Sequence, residues 1–306
     1  METGYRLRSP RRCPIAEAVQ QVRVAGGRSV VVHELSGPGD GRTVVFCHAA
    51  PGAGSFDPDP TETRKRGIRL LAPDRPGYGR SEPPRRGEWA SVDRAAEDIA
   101  EILAARGIDR VAAAGWSGGG RVALALAARH PGLVDRVAVI ATPAPNDEVA
   151  WVPPEQQAGL EALRGQAPES AHAALGRMLG GLVPSDPRSS EAIGLIGGGP
   201  ADERVLATDG VRARLGDMFA IAFEQGAAGL AADIAGYGIQ PWGFEPAEVR
   251  AKVLLVYGAA DAIGWRHGRW WQRQLPNARL EMVPGAGHLV VVPMWGRVLS
   301  FLAPSR

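Results

Sequence analysis

Three observations predict an α/β fold: a mostly parallel central sheet, helices on both faces and a helical insertion. Short apolar runs alternate with amphipathic stretches from Val22 to Ile140. One of those runs, Val111 to Ala114, ends in Gly115-Trp116-Ser117-Gly118-Gly119 and passes at once into a stretch that reads as helix, Arg121 to Arg129. The alternation then lapses after Ala141 and resumes at Lys252. Strand and helix in regular alternation call for parallel pairing, with ligands bound beyond the carboxyl ends of the strands.

Taken in order, Val22 to Ala25 and Ser29 to Leu35 are β-branched runs split by Gly26-Gly27, the pattern of a hairpin at a sheet edge. Asp40-Gly41 turns the chain into Arg42 to Cys47, an apolar run buried on both faces. Asp59 to Arg66 is predicted as helix and Ile68 to Ala72 as strand. Ser91 to Arg106 is amphipathic, with Ala95, Ile99, Ile102 and Leu103 on one face, and stops at Gly107. Val134 to Ile140 is the next buried strand. The expected organisation is a polar leader over 1–17 that need not be ordered, a core formed by 18–142 and 248–306, and a helical cap over 143–247. Within the cap, helices are expected around Glu155 to Leu163, Ala171 to Leu179, Ala201 to Leu206 and Val211 to Ala235, with Met178, Leu179, Met218, Phe219 and Phe223 as cap core. The sheet resumes with Lys252 to Tyr257. A helix over Trp265 to Leu275, a strand over Arg279 to Val283 and a helix after Pro293 close the chain.

Composition narrows the function. The 35 basic and 33 acidic residues leave a net charge of +2, which gives no reason to expect a nucleic-acid or acidic-membrane partner. Paired basic residues such as Arg64-Lys65-Arg66 and Arg85-Arg86 read as solvated faces. Two cysteines, Cys13 and Cys47, make neither a disulfide framework nor a metal site. The N-terminal stretch lacks the apolar core of a secretory signal, and no run reaches transmembrane length. A soluble, cytoplasmic protein is therefore expected.

Three polar residues follow buried strands in the order Ser117, Asp261, His288. A serine hydroxyl needs a base to become a nucleophile, and an imidazole titrating near neutrality supplies one. A carboxylate behind it fixes the tautomer and stabilises the imidazolium. Strand, sharp turn and helix is the context in which a G-x-S-x-G match carries information, and serine, acid, histidine is the matching chain order. In this setting the chain resembles the α/β-hydrolase superfamily, in its capped, serine-nucleophile branch of esterase-like and epoxide-hydrolase-like proteins. The segment His48-Ala49-Ala50-Pro51-Gly52 is similar to that family's H-G-x-P-G oxyanion loop, and Asp74-Arg75-Pro76-Gly77-Tyr78-Gly79-Arg80-Ser81 to its D-x-x-G-x-G-x-S loop. The resemblance runs from about Val22 to the C-terminus and is weakest in the cap. Two departures stand out: Ala49 replaces the usual glycine, and serine in place of aspartate speaks against epoxide-hydrolase or dehalogenase chemistry.

The resemblance implies Ser117 as nucleophile, His288 as general base and Asp261 as its orienting acid, with Asp147 as the alternative acid. The N–H of Gly118, with that of Ala50 in preference to Ala49, would hold the oxyanion. His48 reads as a loop organiser rather than a second base, and Asp74 as structural. Trp116 either shapes the pocket or packs behind the strand. His33, His130, His172 and His267 read as surface or capping residues, and Cys47 as strand core. The expected substrate is small, largely apolar and carbonyl-containing, with Trp151, Trp242, Met178 and Met218 as hints of the pocket; no cofactor is required, and a homodimer is left open. The leading function is cleavage of an ester, thioester, lactone or small amide through an acyl-enzyme. The alternatives are a cofactor-free carbon–carbon hydrolase, lyase or cyclase in which His288 shuttles a proton, and a small-ligand receptor without turnover.

Overall fold

The computed structural model describes residues 18–36 and 41–304; the expected leader and the Asp40 half of the Asp40-Gly41 turn lie outside the described residues. Eight strands form one sheet in the order β1 (Ala18–Arg23), β2 (Ser29–Glu34), β4 (Arg69–Pro73), β3 (Thr43–Cys47), β5 (Val111–Trp116), β6 (Val134–Ile140), β7 (Lys252–Gly258) and β8 (Ala278–Val283). The β1–β2 and β2–β4 pairs are antiparallel, and every later pair is parallel. The predicted edge hairpin is present, turned by Gly26 and Gly27 at φ 81° and 77°.

The pleat sorts side chains to two cores. Val44 and Phe46 of β3, Trp116 of β5 and Ile140 of β6 face α11 (Val291–Leu302). Val45 and Cys47, Ala113, and Val137 and Val139 face the opposite helices, α2 (Val92–Ala105), α3 (Gly119–Arg129) and α10 (Trp265–Gln274). Burial pushes the Cys47 thiol up to about 12, which keeps it protonated inside this second core. Helix α2 is capped by Ser91, whose hydroxyl accepts from the Arg94 N–H. Helix α11 starts two residues before Pro293 rather than after it, because proline is tolerated in a first turn whose N–H groups have no partner inside the helix.

The segment between β6 and β7 is helical throughout: α4 (Pro154–Arg164), α5 (Pro168–Leu179), α6 (Ser190–Gly194), α7 (Glu203–Leu206), α8 (Val211–Ala222) and α9 (Ala228–Gly238). The single helix expected over Val211 to Ala235 is broken near Gly226, whose φ of 61° interrupts it. Helix α6 was not foreseen. Of the five expected cap-core residues, Met218 and Phe219 are fully buried, but in the core shared with α11, while Met178 is 67% exposed. Among the described residues, no helix is long and apolar enough to cross a membrane.

Between β3 and β4 the chain runs past α1 (Pro60–Lys65), capped by Asp59, and α8 is anchored there: Arg214 of α8 donates to the Asp57 and Pro58 carbonyls. Asp57 is itself buried, accepting from Thr63 Oγ1 and the Asp59 N–H, with its second oxygen unpartnered. Burial outweighs these bonds and raises its carboxyl to about 7. The folded chain thus holds a proton that an unfolded aspartate has already lost near pH 4. The contribution of Asp57 to stability therefore falls as pH rises from about 4 to about 7 and levels off above, against the opposite contributions of the buried His48 and His267. Asp57→Asn is expected to remove this contribution, so that the melting temperature at about pH 8 rises relative to that at about pH 5 when compared with the same difference in the parent protein; an unchanged difference in thermal unfolding would assign the dependence elsewhere.

Candidate active site

Ser117 stands between β5 and α3 with φ 53°, a left-handed backbone that a non-glycine residue rarely adopts. Its neighbours explain how that conformation is held. A Cβ on Gly115 would collide with the Gly119 carbonyl, one on Gly119 with the Cys47 carbonyl, and one on Gly120 with the Thr142 hydroxyl. Strand β5 and helix α3 therefore cross at a distance that admits no side chains, and the Ser117 N–H donates to the Ile140 carbonyl at 2.8 Å. Ser117 opens onto a cavity of about 620 Å³ whose wall also includes Ala50, Gly118, Asp261 and His288.

His288 follows β8. Its Nδ1 lies 2.8 Å from Asp261 Oδ2, and both side chains are buried. Opposite a carboxylate Nδ1 carries the proton, which leaves Nε2 as the basic nitrogen. The other Asp261 oxygen accepts from the Ile263 N–H at 3.0 Å, so the carboxylate is held at both ends. Asp147, the alternative acid, is exposed in a turn seven residues beyond the end of β6 and does not line this cavity.

The loop after β3 is organised from behind. The His48 ring is fully buried; its Nε2 accepts from the Arg75 N–H at 3.2 Å, so Nδ1 is the protonated nitrogen and donates to the Ala49 carbonyl at 2.8 Å. Burial, reinforced by the Arg75 charge, holds the imidazole well below its usual range and therefore neutral. The Ala49 carbonyl also accepts from Arg75 Nη2 at 2.8 Å. In a planar peptide, anchoring that carbonyl points the Ala50 N–H the opposite way. Ala50 lines the cavity, whereas Ala49 and His48 do not. Among the described residues, neither the Ala50 nor the Gly118 N–H has an acceptor. Trp116 packs behind the strand, donating through Nε1 to the His288 carbonyl at 3.1 Å and lying against Phe56.

Several residues that matter here were not singled out in the sequence. Arg75 donates through Nε and Nη2 to both oxygens of Asp233 on α9, at 2.9 and 2.7 Å, and through Nη1 to the His48 carbonyl at 2.7 Å. Tyr78 Oη adds a third bond to Asp233 at 2.8 Å. Burial works against the Arg75 charge, but the Asp233 carboxylate outweighs it and holds the guanidinium above its ordinary range. Asp202, also in the segment between β6 and β7, is buried and accepts from the N–H groups of His288 and Leu289, at 3.1 and 3.0 Å. Gly197 lies against the His288 ring, where a Cβ would come within 3.2 Å. Asp74 is structural as expected, bonding His33 Nε2 and the Gly54 N–H. His33 and His267 are buried rather than surface residues; burial lowers His267 to about 4, and it accepts from the Ala144 N–H. Of the four cap residues read as pocket hints, Trp151 alone is in the wall.

Comparison with known proteins agrees with this fold. The family model of the alpha/beta hydrolase fold matches residues 42–293. The chain belongs to the α/β-hydrolase family. It is 32% identical over 174 residues to a 2-hydroxymuconate semialdehyde hydrolase of Pseudomonas putida, covering 54% of this chain and 55% of that protein. It is 29% identical over 220 residues to a pimeloyl-[acyl-carrier protein] methyl ester esterase of Chromobacterium violaceum, covering 70% and 74%. The chain spans about half the length of most curated relatives it matches. The fold is similar to that of a hydrolase from Pseudomonas aeruginosa, with a TM-score of 0.68, 24% identity, and coverage of 93% of this chain and 98% of that one.

Removing one partner of a buried ion pair strands the other charge, at a cost of about 3 kcal/mol or more. Asp233→Asn is expected to lower stability by that amount in urea unfolding, because it leaves Arg75 charged and uncompensated. A loss under about 1 kcal/mol would show that the pair is dispensable.

Proposed function

We propose that the chain is a serine hydrolase that cleaves an ester, thioester, lactone or small amide through an acyl-enzyme on Ser117. The observation that carries this reading is the His288–Asp261 pair, 2.8 Å apart, in one cavity wall with a serine held at φ 53°. In this mechanism His288 Nε2 takes the Ser117 proton as Oγ attacks the carbonyl carbon, then returns it to the leaving group. Asp261 stabilises the imidazolium formed in between. The N–H groups of Gly118 and Ala50, both without an acceptor among the described residues, hold the oxyanion with the aid of the α3 N-terminus. A water activated by His288 releases the acid. The activities of the two relatives, a semialdehyde hydrolase and a methyl ester esterase, support a hydrolytic role in general and do not choose the substrate.

Ala49 in place of glycine leaves the oxyanion loop intact in this reading, because the carbonyl of Ala49, not its side chain, sets the Ala50 N–H. The substitution therefore gives no support to the lyase or cyclase alternative.

Stoichiometric labelling by a fluorophosphonate, located by peptide mapping, is expected at Ser117 and absent in Ser117→Ala. Asp261→Asn should slow ester turnover by about 10⁴-fold, as when a triad histidine loses its orienting charge. A folded protein that resists two fluorophosphonates of different size would reject the acyl-enzyme in favour of the proton-shuttle or receptor alternatives.

A further inference from the structure

Arg121 occupies the first turn of α3, four residues after Ser117, and forms part of the same cavity wall. It is buried, at 2% exposure, and burial lowers its guanidinium only to about 10, so it is charged at neutral pH. No carboxylate pairs with it among the described residues. Asp233, the acid near enough to be felt, already gives both oxygens to Arg75 and one of them to Tyr78. A guanidinium has five N–H donors. Here a single acceptor is engaged, the Pro143 carbonyl at 3.2 Å from Nη2, and Nε is buried without any partner. Aromatic rings supply the remaining contacts: Tyr237 and Trp242 each centre 4.7 Å from the guanidinium carbon and Trp151 5.7 Å. Stacking of this kind engages the face of the group and leaves its in-plane N–H donors free.

A second unpartnered donor lies beside the first. The Tyr237 hydroxyl is buried with no acceptor inside hydrogen-bond distance, the nearby Asp233 carboxylate being engaged by Arg75 and Tyr78, and a Cβ on Gly118 would stand 3.0 Å from it. The two donors therefore flank the space next to the oxyanion amides, in a wall otherwise made largely of Leu, Ile and Pro side chains such as Pro143, Ile196, Leu230 and Ile234. An uncompensated buried charge and two orphan donors are costly in the empty protein, and a planar anion that accepts from both relieves the cost. One cation calls for one negative charge, which favours a carboxylate over a doubly charged phosphate.

We propose that Arg121 and Tyr237 bind a free carboxylate of the substrate, so that the compounds cleaved at Ser117 are half-esters or other acyl compounds bearing one carboxylate. This rests on the hydrolase reading of the same cavity and specifies its substrate class. The test is calorimetric titration of Ser117→Ala protein, which cannot turn over, with monomethyl glutarate and with dimethyl glutarate. Binding of the monoester at least about tenfold tighter is expected, with the preference erased in Arg121→Gln through weaker monoester binding alone. Equal affinities overturn the inference, as do a preference that survives Arg121→Gln and a failure of the monoester to bind. If Arg121→Gln does not fold, judged by circular dichroism, Arg121→Lys replaces it: it keeps the charge without the planar fork, and a several-fold loss for the monoester alone is expected. Fluorophosphonate labelling of the wild type separates the two readings. Labelling without a carboxylate preference defeats this inference only, and a preference without labelling defeats the acyl-enzyme only.

Discussion

One guanidinium joins the parts of this molecule that must agree. Arg75 holds the carbonyls of His48 and Ala49 on one side and the carboxylate of Asp233 on the other, so the loop after β3 and α9 are fastened to the same rigid group. The approach this requires is visible in the glycines. A Cβ on Gly229 would enter the Tyr78 ring, and one on Gly77 would meet the backbone of Gly229. Arginine suits the position because its planar fork satisfies four hydrogen bonds in fixed directions, which a lysine ammonium cannot. The ion pair is costly to bury, and its contribution lies in specifying one geometry more than in adding net stability.

Local physics was written plainly enough in the sequence to place the core. Ser117 needs small neighbours, and Gly115, Gly118, Gly119 and Gly120 announce the crossing. Apolar runs bounded by turn residues located β2 to β8 within a residue or two, because burial on both faces leaves few other options, whereas the exposed β1 starts four residues before the expected Val22. The antiparallel run of β2 against β4 and the strand order could not be read that way, since pairing between distant strands leaves no periodic mark. The insertion was the least legible part. Its helices were found roughly, but Met178 faces solvent and α8 packs into the core, because an alanine-rich helix of weak amphipathicity does not declare its buried face.

The site shows the same division. Ser117, Asp261 and His288 each follow a strand, and that position made them readable. Arg75, Arg121, Asp202, Asp233 and Tyr237 were not, because each acquires its role from partners far along the chain. Arg75 lies inside a motif whose aspartate drew the attention, and Arg121 looked like one polar residue in a helix of alanine, leucine and valine. The glycine run at 197–199 was a usable signal: glycines that end no helix mark a place where backbone passes close to another group, here the ring of His288.

Asp202 carries a consequence for the architecture of the family in this chain. The main-chain N–H groups of His288 and Leu289 are satisfied by a carboxylate from the segment between β6 and β7, not by the sheet domain. The insertion is thus not a detachable roof over a self-sufficient machine; it supplies part of the floor on which the histidine stands. A chimera that exchanged this segment for a relative's would have to bring its own acceptor to that spot or leave two buried N–H groups without one. Changes in the segment's remaining walls leave that support in place so long as the short stretch from Gly197 to Asp202 keeps its position.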